Sequence, residues 1–309
     1  MAAIKPPILK QGDTIGIVTL GSPLPADMIN SRIEVVKSLG FEVVVGEHAY
    51  AADGFLAGSD EERASDLMGM FANDQVKMIL PTRGGVGVAG ILPHLDYNLI
   101  KSHPKILTGY SDITVLLNVL AQSVNLITFQ SLLLINFAAD TPAYNFDQFF
   151  AATSVLTMQR QIQNPASIPQ ISRVKGNVTG PIVGGNLTSF VGTLGTDYEI
   201  DTKGKILLLE ETHEPINTVY RYMNQLKLAG KFADCIGIVL GQCTNCPPAY
   251  GTSYEDFINA FIVPMGKPLM TNVATAHGTY KAAIPIGATV NLDTDNNTLT
   301  VIEPTVSAT

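Results

Sequence analysis

The first 130 residues alternate short apolar, β-branched runs with amphipathic helical runs, and this alternation limits the possible folds more than any other feature. Strands separated by helices indicate βαβ units, because each helix returns the chain to the starting edge of a parallel sheet. We therefore predict an α/β fold whose N-terminal part is a mostly parallel sheet with flanking helices. The predicted strands are 14–19, 41–45, 76–80, 106–108 and 125–129, and the predicted helices include 26–39 and 59–73.

The second half of the chain is richer in strand patterns. A looser stretch, 141–175, is rich in Gln, Pro, Ala and Thr and contains one predicted helix at 145–156. We predict an N-terminal α/β domain over 1–140, a connecting segment over 141–175 and a β-rich C-terminal domain over 176–309. The strands predicted in the C-terminal domain are 176–179, 181–183, 205–210, 237–240, 288–292 and 298–302.

The composition indicates a large buried core and argues against several classes of function. Hydrophobic residues make up 46% of the 309 residues and charged residues only 15%, which argues against a disordered chain. The net charge of −8 argues against a nucleic-acid partner. The uncharged stretch 113–139 carries seven Asn, Gln and Ser side chains, so we expect no membrane partner. The N-terminus lacks the apolar segment of a signal peptide, which predicts a cytoplasmic protein.

The tetrapeptide Gly109-Tyr110-Ser111-Asp112 stands between the fourth predicted strand and an apolar helical run. A serine on a tight strand–helix turn can present its hydroxyl close to the N–H groups of a helix start. That arrangement suits a nucleophile and the oxyanion it creates. Ile113 stands where the G-x-S-x-G motif has its second glycine. The alternative interpretation is an ordinary helix N-cap.

A serine nucleophile needs a base and a carboxylate that orients the base. Of the five histidines, His277 stands among small residues before an apolar segment, which marks it as the candidate base; a structural histidine is the alternative. Glu210 ends a strand of Ile and Leu, where burial can tune its ionisation. Glu211 must point to the opposite face of the strand, so only one of the two carboxylates can meet His277.

A second turn, Arg83-Gly84-Gly85, follows the third predicted strand and falls at the same sheet edge as Ser111. Functional groups gather beyond the carboxyl ends of parallel strands. The turn can offer backbone N–H groups to an oxyanion or a phosphate, although it matches neither the Walker nor the dinucleotide-binding pattern. A plain tight turn is the alternative.

The cysteines do not indicate a metal site. Cys243 and Cys246 form a single CxxC pair, and a structural zinc site needs four ligands. Two prolines follow Cys246, so no helix opens there as in a thioredoxin-like motif. We expect two reduced thiols on a loop.

Together these motifs resemble the LD-carboxypeptidases (muramoyltetrapeptide carboxypeptidases), a family that includes the microcin C immunity peptidases. The resemblance extends from about Gly12 to Leu292. The segments that carry it are 59–64, 83–85, 95–97, 104–114, 184–187, 209–211, 222–230, 237–241, and His277 with 285–287.

The resemblance implies a serine peptidase that removes the terminal D-Ala from an L,D-linked murein tetrapeptide. It places Ser111 on the nucleophile, Glu210 on the orienting carboxylate and His277 on the base. Family members use no metal, and we expect no cofactor. They lie in the cytoplasm when they recycle murein peptides and are often dimers, so a homodimer is expected.

The resemblance also implies an oxyanion hole made by the N–H groups of Gly85 and Asp112. The terminal carboxylate of a peptide substrate needs a cationic partner, for which Arg83 is the candidate. Gly84 and Asn186 stand in glycine-rich turns at strand ends and are the other substrate-binding candidates.

The sequence departs from the family pattern in residues that would line the substrate. These departures leave two alternatives open: an immunity-type amidase acting on peptidyl or aminoacyl conjugates, and a non-catalytic small-molecule binding protein. A nucleotide-binding enzyme ranks last. The departures are Val86 for an aromatic residue, Ala89-Gly90 where an Arg often follows, Gln130-Ser131-Leu132 for His-Gly-Pro, and Ala276 for a glycine.

Overall fold

The computed structural model describes residues 3–308, which form two sheets with helices packed around them. The strands are β1 (Thr14–Val18), β2 (Glu42–Val45), β3 (Val76–Pro81), β4 (Ile106–Gly109), β5 (Thr128–Gln130), β6 (Arg160–Gln161), β7 (Ile171–Val174), β8 (Asn177–Asn186), β9 (Ile206–Thr212), β10 (Gly237–Thr244), β11 (Leu269–Val273), β12 (Ile284–Ile286), β13 (Thr289–Asp293) and β14 (Thr298–Val301). The α-helices are α1 (Ala26–Ser38), α2 (Asp60–Ala72), α3 (Val88–Ile91), α4 (Tyr97–Ser102), α5 (Ile113–Ser123), α6 (Ala143–Thr153), α7 (Leu187–Val191), α8 (Ile216–Leu228), α9 (Lys231–Asp234) and α10 (Tyr254–Phe257).

The first sheet has six strands in the order β12-β5-β4-β3-β1-β2. Strands β1 to β5 pair in parallel, and only β12 is antiparallel to its neighbour β5. The predicted mostly parallel N-terminal sheet is therefore confirmed. Since β1, β3 and β4 run the same way, the turns that follow them emerge at one edge of the sheet.

The second sheet has eight strands in the order β6-β14-β13-β8-β9-β10-β11-β7. Its centre, β8 to β11, is parallel, while the outer strands pair antiparallel. The predicted α/β class with a β-rich second half is confirmed. No helix within residues 3–308 is long and apolar enough to cross a membrane.

The boundaries between the two halves differ from a simple division along the chain. The segment 141–175, expected to be a connection, supplies α6 and also β6 and β7, the two edge strands of the second sheet. Strand β12 leaves the second half and completes the first sheet. These strands of two to four residues depend on pairing with a neighbour for their conformation, so their own sequences carry little strand signal.

Strand β9 lies at the middle of the second sheet and is buried on both faces. Leu208 packs in the core shared with the first sheet, whereas Leu207 and Leu209 pack in a second core beneath α7 and α8. Because side chains alternate along a strand, Glu210 continues the Leu208 face and Glu211 the opposite face. This alternation aims Glu210 at the first sheet, where the serine turn lies.

Candidate active site

The turn that carries Ser111, the predicted nucleophile, joins β4 directly to α5 and is called the nucleophile turn below. Ser111 has a φ of 61°, in the left-handed region, and Gly109 has a φ of 152°. An L-residue in that region costs about 1–2 kcal/mol, a form of strain that concentrates at functional sites. The N-cap residue of α5 is Asp112, and no side-chain hydrogen bond caps the helix. The capping alternative for Ser111 is therefore not observed.

The glycine turn after β3 lies against the nucleophile. A Cβ atom on Gly84 would lie 2.7 Å from Ser111 Cβ, 3.0 Å from Ser111 Oγ and 2.9 Å from Asp112 N. Gly85 has a φ of 91° and packs equally closely on Ser22. The turn can lie so close to Ser111 at Gly84, and to Ser22 at Gly85, only because both residues lack a side chain.

Three hydrogen bonds hold the glycine turn in place from two sides. Ser22 N donates to Gly84 O at 3.1 Å, and Ser22 Oγ accepts from Val86 N at 3.1 Å. On the other side, Val88 N donates to Asp112 Oδ2 at 2.8 Å. Burial raises the pKa of Asp112, although the bond from Val88 opposes that shift. The Asp112 carboxylate thus holds the glycine turn and does not cap α5, the helix that Asp112 begins.

Arg63 is a supporting residue that the sequence analysis did not single out. Its side chain is fully buried, and its guanidinium donates to the carbonyls of Leu20, Gly58 and Gly87 and to the carboxylate of Asp60. Burial lowers its pKa, with Asp60 opposing. Arg63 therefore ties together the loops that follow β1 and β3. Its place in the 59–64 motif was the available signal.

His277, the candidate base, contacts Glu210, whose side chain β9 directs toward the first sheet. A hydrogen bond of 2.8 Å joins His277 Nδ1 to Glu210 Oε2. Glu210 is 2% exposed, and its Oε1 is buried without a hydrogen-bond partner among residues 3–308. The ring of Tyr110 packs against the His277 imidazole at 5.1 Å between centroids, at 88°. Since Tyr110 precedes Ser111, this contact brings the imidazole to the nucleophile turn.

Glu211 points away from this site and has partners of its own. Its carboxylate accepts from Asn186 Nδ2 at 3.2 Å, from Thr188 N at 2.9 Å and from Thr188 Oγ1 at 2.6 Å. Burial raises the pKa of Glu211, and the bond from Thr188 opposes the shift. Only Glu210 is therefore in contact with the candidate base.

The substrate-binding candidates differ in accessibility. Arg83 is half-buried, and its Nη1 donates to Pro23 O at a long 3.5 Å; among residues 3–308 the other guanidinium N–H groups have no hydrogen-bond partner. Asn186 is buried at the N-cap of α7, where its Oδ1 accepts from Ser189 and its Nδ2 holds Glu211. Val86, one of the departures, is 50% exposed beside the glycine turn.

The remaining histidines lie in other contacts. Each pairs with a carboxylate, a neighbouring hydroxyl or a backbone carbonyl away from Ser111. These contacts are His48 with Asp66, His94 with Glu61, His103 with Leu99 O, and His213 with Thr212.

The segment Gln130-Ser131-Leu132 at the end of β5 stands where the family pattern has His-Gly-Pro, and it buries two polar side chains. Gln130 Nε2 donates to Thr275 Oγ1 at 3.3 Å and so contacts the loop that leads to His277. Ser131 N donates to Gly109 O at 3.1 Å, just before the nucleophile turn. Gln130 Oε1 and Ser131 Oγ are buried without partners among the described residues. This segment therefore contacts both the loop that carries His277 and the turn that carries Ser111.

The expectation of two reduced thiols was wrong. Cys243 and Cys246 form a disulfide, because the turn at the end of β10 brings their Cα atoms to 5.5 Å. Within the described part of the chain, no group of three or more His, Cys, Asp and Glu side chains is placed to hold a metal ion.

Comparisons with known proteins agree with this architecture. Residues 15–131 match the LD-carboxypeptidase N-terminal domain, and residues 179–292 match the LD-carboxypeptidase C-terminal domain. The chain is 35% identical over 311 residues to the "Probable murein peptide carboxypeptidase" of Bacillus subtilis (strain 168), covering 98% of this chain and 95% of that protein.

Two further relatives differ in what their names say they act on or bind. The "Murein tetrapeptide carboxypeptidase" of Pseudomonas aeruginosa is 27% identical, with 90% of this chain and 92% of that protein covered. The solved structure of the microcin C7 self-immunity protein MccF in complex with aspartyl sulfamoyl adenosine superposes with a TM-score of 0.90 at 25% identity. That superposition covers 98% of this chain and all of the other.

Proposed function

Because the chain belongs to the LD-carboxypeptidase family and is a peptidase, we propose that it is a serine carboxypeptidase that cleaves the terminal D-Ala from L,D-linked murein tetrapeptides during cell-wall recycling. The observation that carries the proposal is the contact of Glu210 with His277, placed beside the strained Ser111 turn by Tyr110. The names of the relatives from Bacillus subtilis and Pseudomonas aeruginosa support the substrate class.

In the proposed reaction, Ser111 Oγ attacks the carbonyl carbon of the bond to D-Ala while His277 takes the hydroxyl proton. Glu210 holds the imidazole in the tautomer that leaves Nε2 free, and it stabilises the imidazolium that forms. The leaving D-Ala amine receives the proton from His277. Water then enters by the same path and gives a proton to His277 as its oxygen bonds to the acyl carbon. The ester bond to Ser111 breaks, the peptide leaves with a new carboxylate, and His277 returns the proton to Ser111 Oγ.

The tetrahedral intermediate carries a negative charge that needs preorganised donors. We assign them to the N–H groups of Gly85 and Asp112, since their segments lie against Ser111 and are held by Ser22 and Val88. Arg83 is the cation proposed for the substrate's terminal carboxylate. Gly84 and Asn186 complete the proposed substrate side of the site.

We test the reaction by measuring release of free D-Ala from an L,D-linked murein tetrapeptide. Wild type should release it, Ser111→Ala should not, and Glu210→Gln should lose roughly 10³–10⁴-fold in kcat. Glu211→Gln is the matched control, because it alters the neighbouring carboxylate on the opposite face. If Glu211→Gln loses as much activity as Glu210→Gln at equal thermal stability, the assignment of Glu210 is wrong.

A second candidate is an amidase that acts on aminoacyl conjugates. The exposed Val86, where the family has an aromatic residue, and the similarity to the microcin C7 self-immunity protein favour it. Wild type that cleaves an aminoacyl sulfamoyl nucleotide but not the tetrapeptide would decide for this candidate. Absence of any reaction of Ser111 with a fluorophosphonate would instead favour a non-catalytic binding protein.

We also propose that the protein works as a homodimer in the cytoplasm, as the family resemblance implies. A disulfide such as Cys243–Cys246 is unusual in that compartment, where thiols are kept reduced. Light scattering checks the oligomeric state, and cell fractionation checks the location. A monomer at micromolar concentration, or recovery outside the cytoplasm, contradicts the respective part.

A further inference from the structure

Lys281 lies four residues after His277 and is buried beside the triad instead of reaching solvent. It is 7% exposed, and its Nζ donates to the backbone carbonyl of Gly278. The same Nζ lies 5.3 Å from the centroid of the Tyr110 ring, within the range of a cation–π contact. Burying an ammonium costs free energy unless such partners compensate it.

Lys281 contacts both the loop that carries His277 and the turn that carries Ser111. Gly278 is the residue after the candidate base, and Tyr110 is the residue before the nucleophile. Tyr110 in turn packs its ring on the imidazole of His277. Lys281 therefore connects the His277 loop to the Ser111 turn through one side chain.

The backbone around Lys281 is fixed as well. Its N–H donates to Asn145 Oδ1 at 2.8 Å, and Asn145 Nδ2 donates to Thr279 O at 3.0 Å. Asn145 lies in α6, so a helix outside both sheets holds the loop on either side of Tyr280. With its backbone held in this way, the Lys281 side chain can impose a position on Gly278.

The charge of Lys281 acts on the triad too. The titratable groups that face it are Tyr110 from the turn after β4, Glu210 from β9 and His277 from its own loop, while α6 presents the neutral amide of Asn145. Burial lowers the pKa of Lys281 to about 8, with the attraction of Glu210 opposing the shift. At neutral pH the ammonium is thus mostly charged, and it faces a carboxylate whose Oε1 has no hydrogen bond among residues 3–308.

We propose that Lys281 is a positioning residue for the triad: its ammonium clamps the His277 loop against the Tyr110 ring and keeps the imidazole between Glu210 and Ser111. The role rests on the proposed function of His277 as the base. Lys281 need not touch the substrate, so it should act on kcat more than on KM.

The test measures the second-order rate of Ser111 modification by a fluorophosphonate from pH 6 to pH 10, with kcat and KM for D-Ala release measured in parallel. In wild type the modification rate should fall above about pH 8, where Lys281 loses its proton and the cation–π contact. Lys281→Met should be slower by roughly 10–100-fold at pH 7, with KM changed less than about threefold and no alkaline fall.

Lys281→Arg decides the question if the Met variant does not fold. A guanidinium keeps its charge across this pH range, so activity at pH 7 should be largely retained and the alkaline fall should disappear. A fall at the same pH in Lys281→Arg would overturn the proposal, because another group would then be titrating.

The matched control is Lys105→Met. Lys105 is also a buried lysine whose pKa burial lowers to about 8, but its Nζ donates to Asn73 O and Val76 O at the opposite end of β4. This variant should lose stability and keep the wild-type rate and its alkaline fall. If it slows Ser111 as much as Lys281→Met does, general destabilisation explains both and the positioning role is wrong.

The two proposals can fail separately. A wild type that reacts with the fluorophosphonate and shows the Lys281 dependence, yet releases no D-Ala, contradicts the murein substrate and supports the clamp. A wild type that releases D-Ala while Lys281→Met matches it in rate and pH profile contradicts the clamp alone. A Ser111 that does not react at all contradicts both.

Discussion

At the scale of single residues, the strain at Ser111 is the feature most directly linked to the proposed chemistry. Its φ of 61° is a backbone conformation that glycine adopts without penalty but that is unfavourable for a residue with a Cβ atom. Helix α5 begins two residues later, and Gly84 closes on Ser111 from the other side. The orientation of this one hydroxyl therefore lowers the stability of the fold.

This strain predicts a difference between two inactive variants. Ser111→Gly should be more stable than Ser111→Ala by about 0.5–1 kcal/mol, because relief of the left-handed penalty exceeds the extra entropy that glycine loses on folding. Urea unfolding of both variants measures the difference. Equal stabilities, or a more stable Ser111→Ala, would show that the turn is not strained.

At the scale of elements, the site depends on how closely the turn after β3 approaches the start of α5. Asp112, Ser22 and Arg63 each hold this glycine turn by a different bond. The approach itself is possible only because residue 84 is a glycine, since any side chain there would meet Ser111.

Gly84→Ala should therefore leave the fold intact and reduce the rate of Ser111 modification by roughly 10²-fold, since Ser111 must move to admit the new methyl group. The matched control is Gly69→Ala in α2, where a Cβ meets nothing within 4 Å. It should keep full activity and gain about 0.5–1 kcal/mol of stability. A Gly84→Ala variant with the wild-type rate would contradict the close approach.

The sequence predicts elements whose signal is local and misses features that arise from packing. Strand β9 was predictable from its run of Ile and Leu, and the opposition of Glu210 and Glu211 from alternation alone. Which of them faces His277 depends on which side of β9 meets the first sheet, and no local pattern records that. The cation–π contact of Lys281 was likewise invisible, since it joins residues far apart in the chain.

In the molecule as a whole, amide side chains of α5, a helix of the first half, bond to the second half of the chain. Asn118 is buried, and it bonds both backbone groups of Gly184 in β8: its Nδ2 donates to the carbonyl at 2.9 Å and its Oδ1 accepts from the N–H at 2.7 Å. Gln122 makes a similar pair of bonds to Glu199 O and Asp201 N at the exposed end of the helix.

The difference in burial predicts a difference in cost. Asn118→Ala leaves two buried backbone groups unpaired and should lower the free energy of unfolding by about 2–4 kcal/mol. Gln122→Ala makes the same kind of change where water can replace the lost bonds, and it should cost less than about 1 kcal/mol. Chemical denaturation of both variants checks this. Similar losses would mean that α5 does not hold the halves together through Asn118.

The order of the proposed triad along the chain has a consequence for biosynthesis. The Ser111 turn emerges from the ribosome more than 150 residues before His277 and β12, the strand that completes the first sheet. A nascent chain thus carries its serine with neither base nor completed sheet. If these residues act as proposed, a chain truncated before His277 should hydrolyse no peptide, so synthesis itself would delay activity until the base has been added.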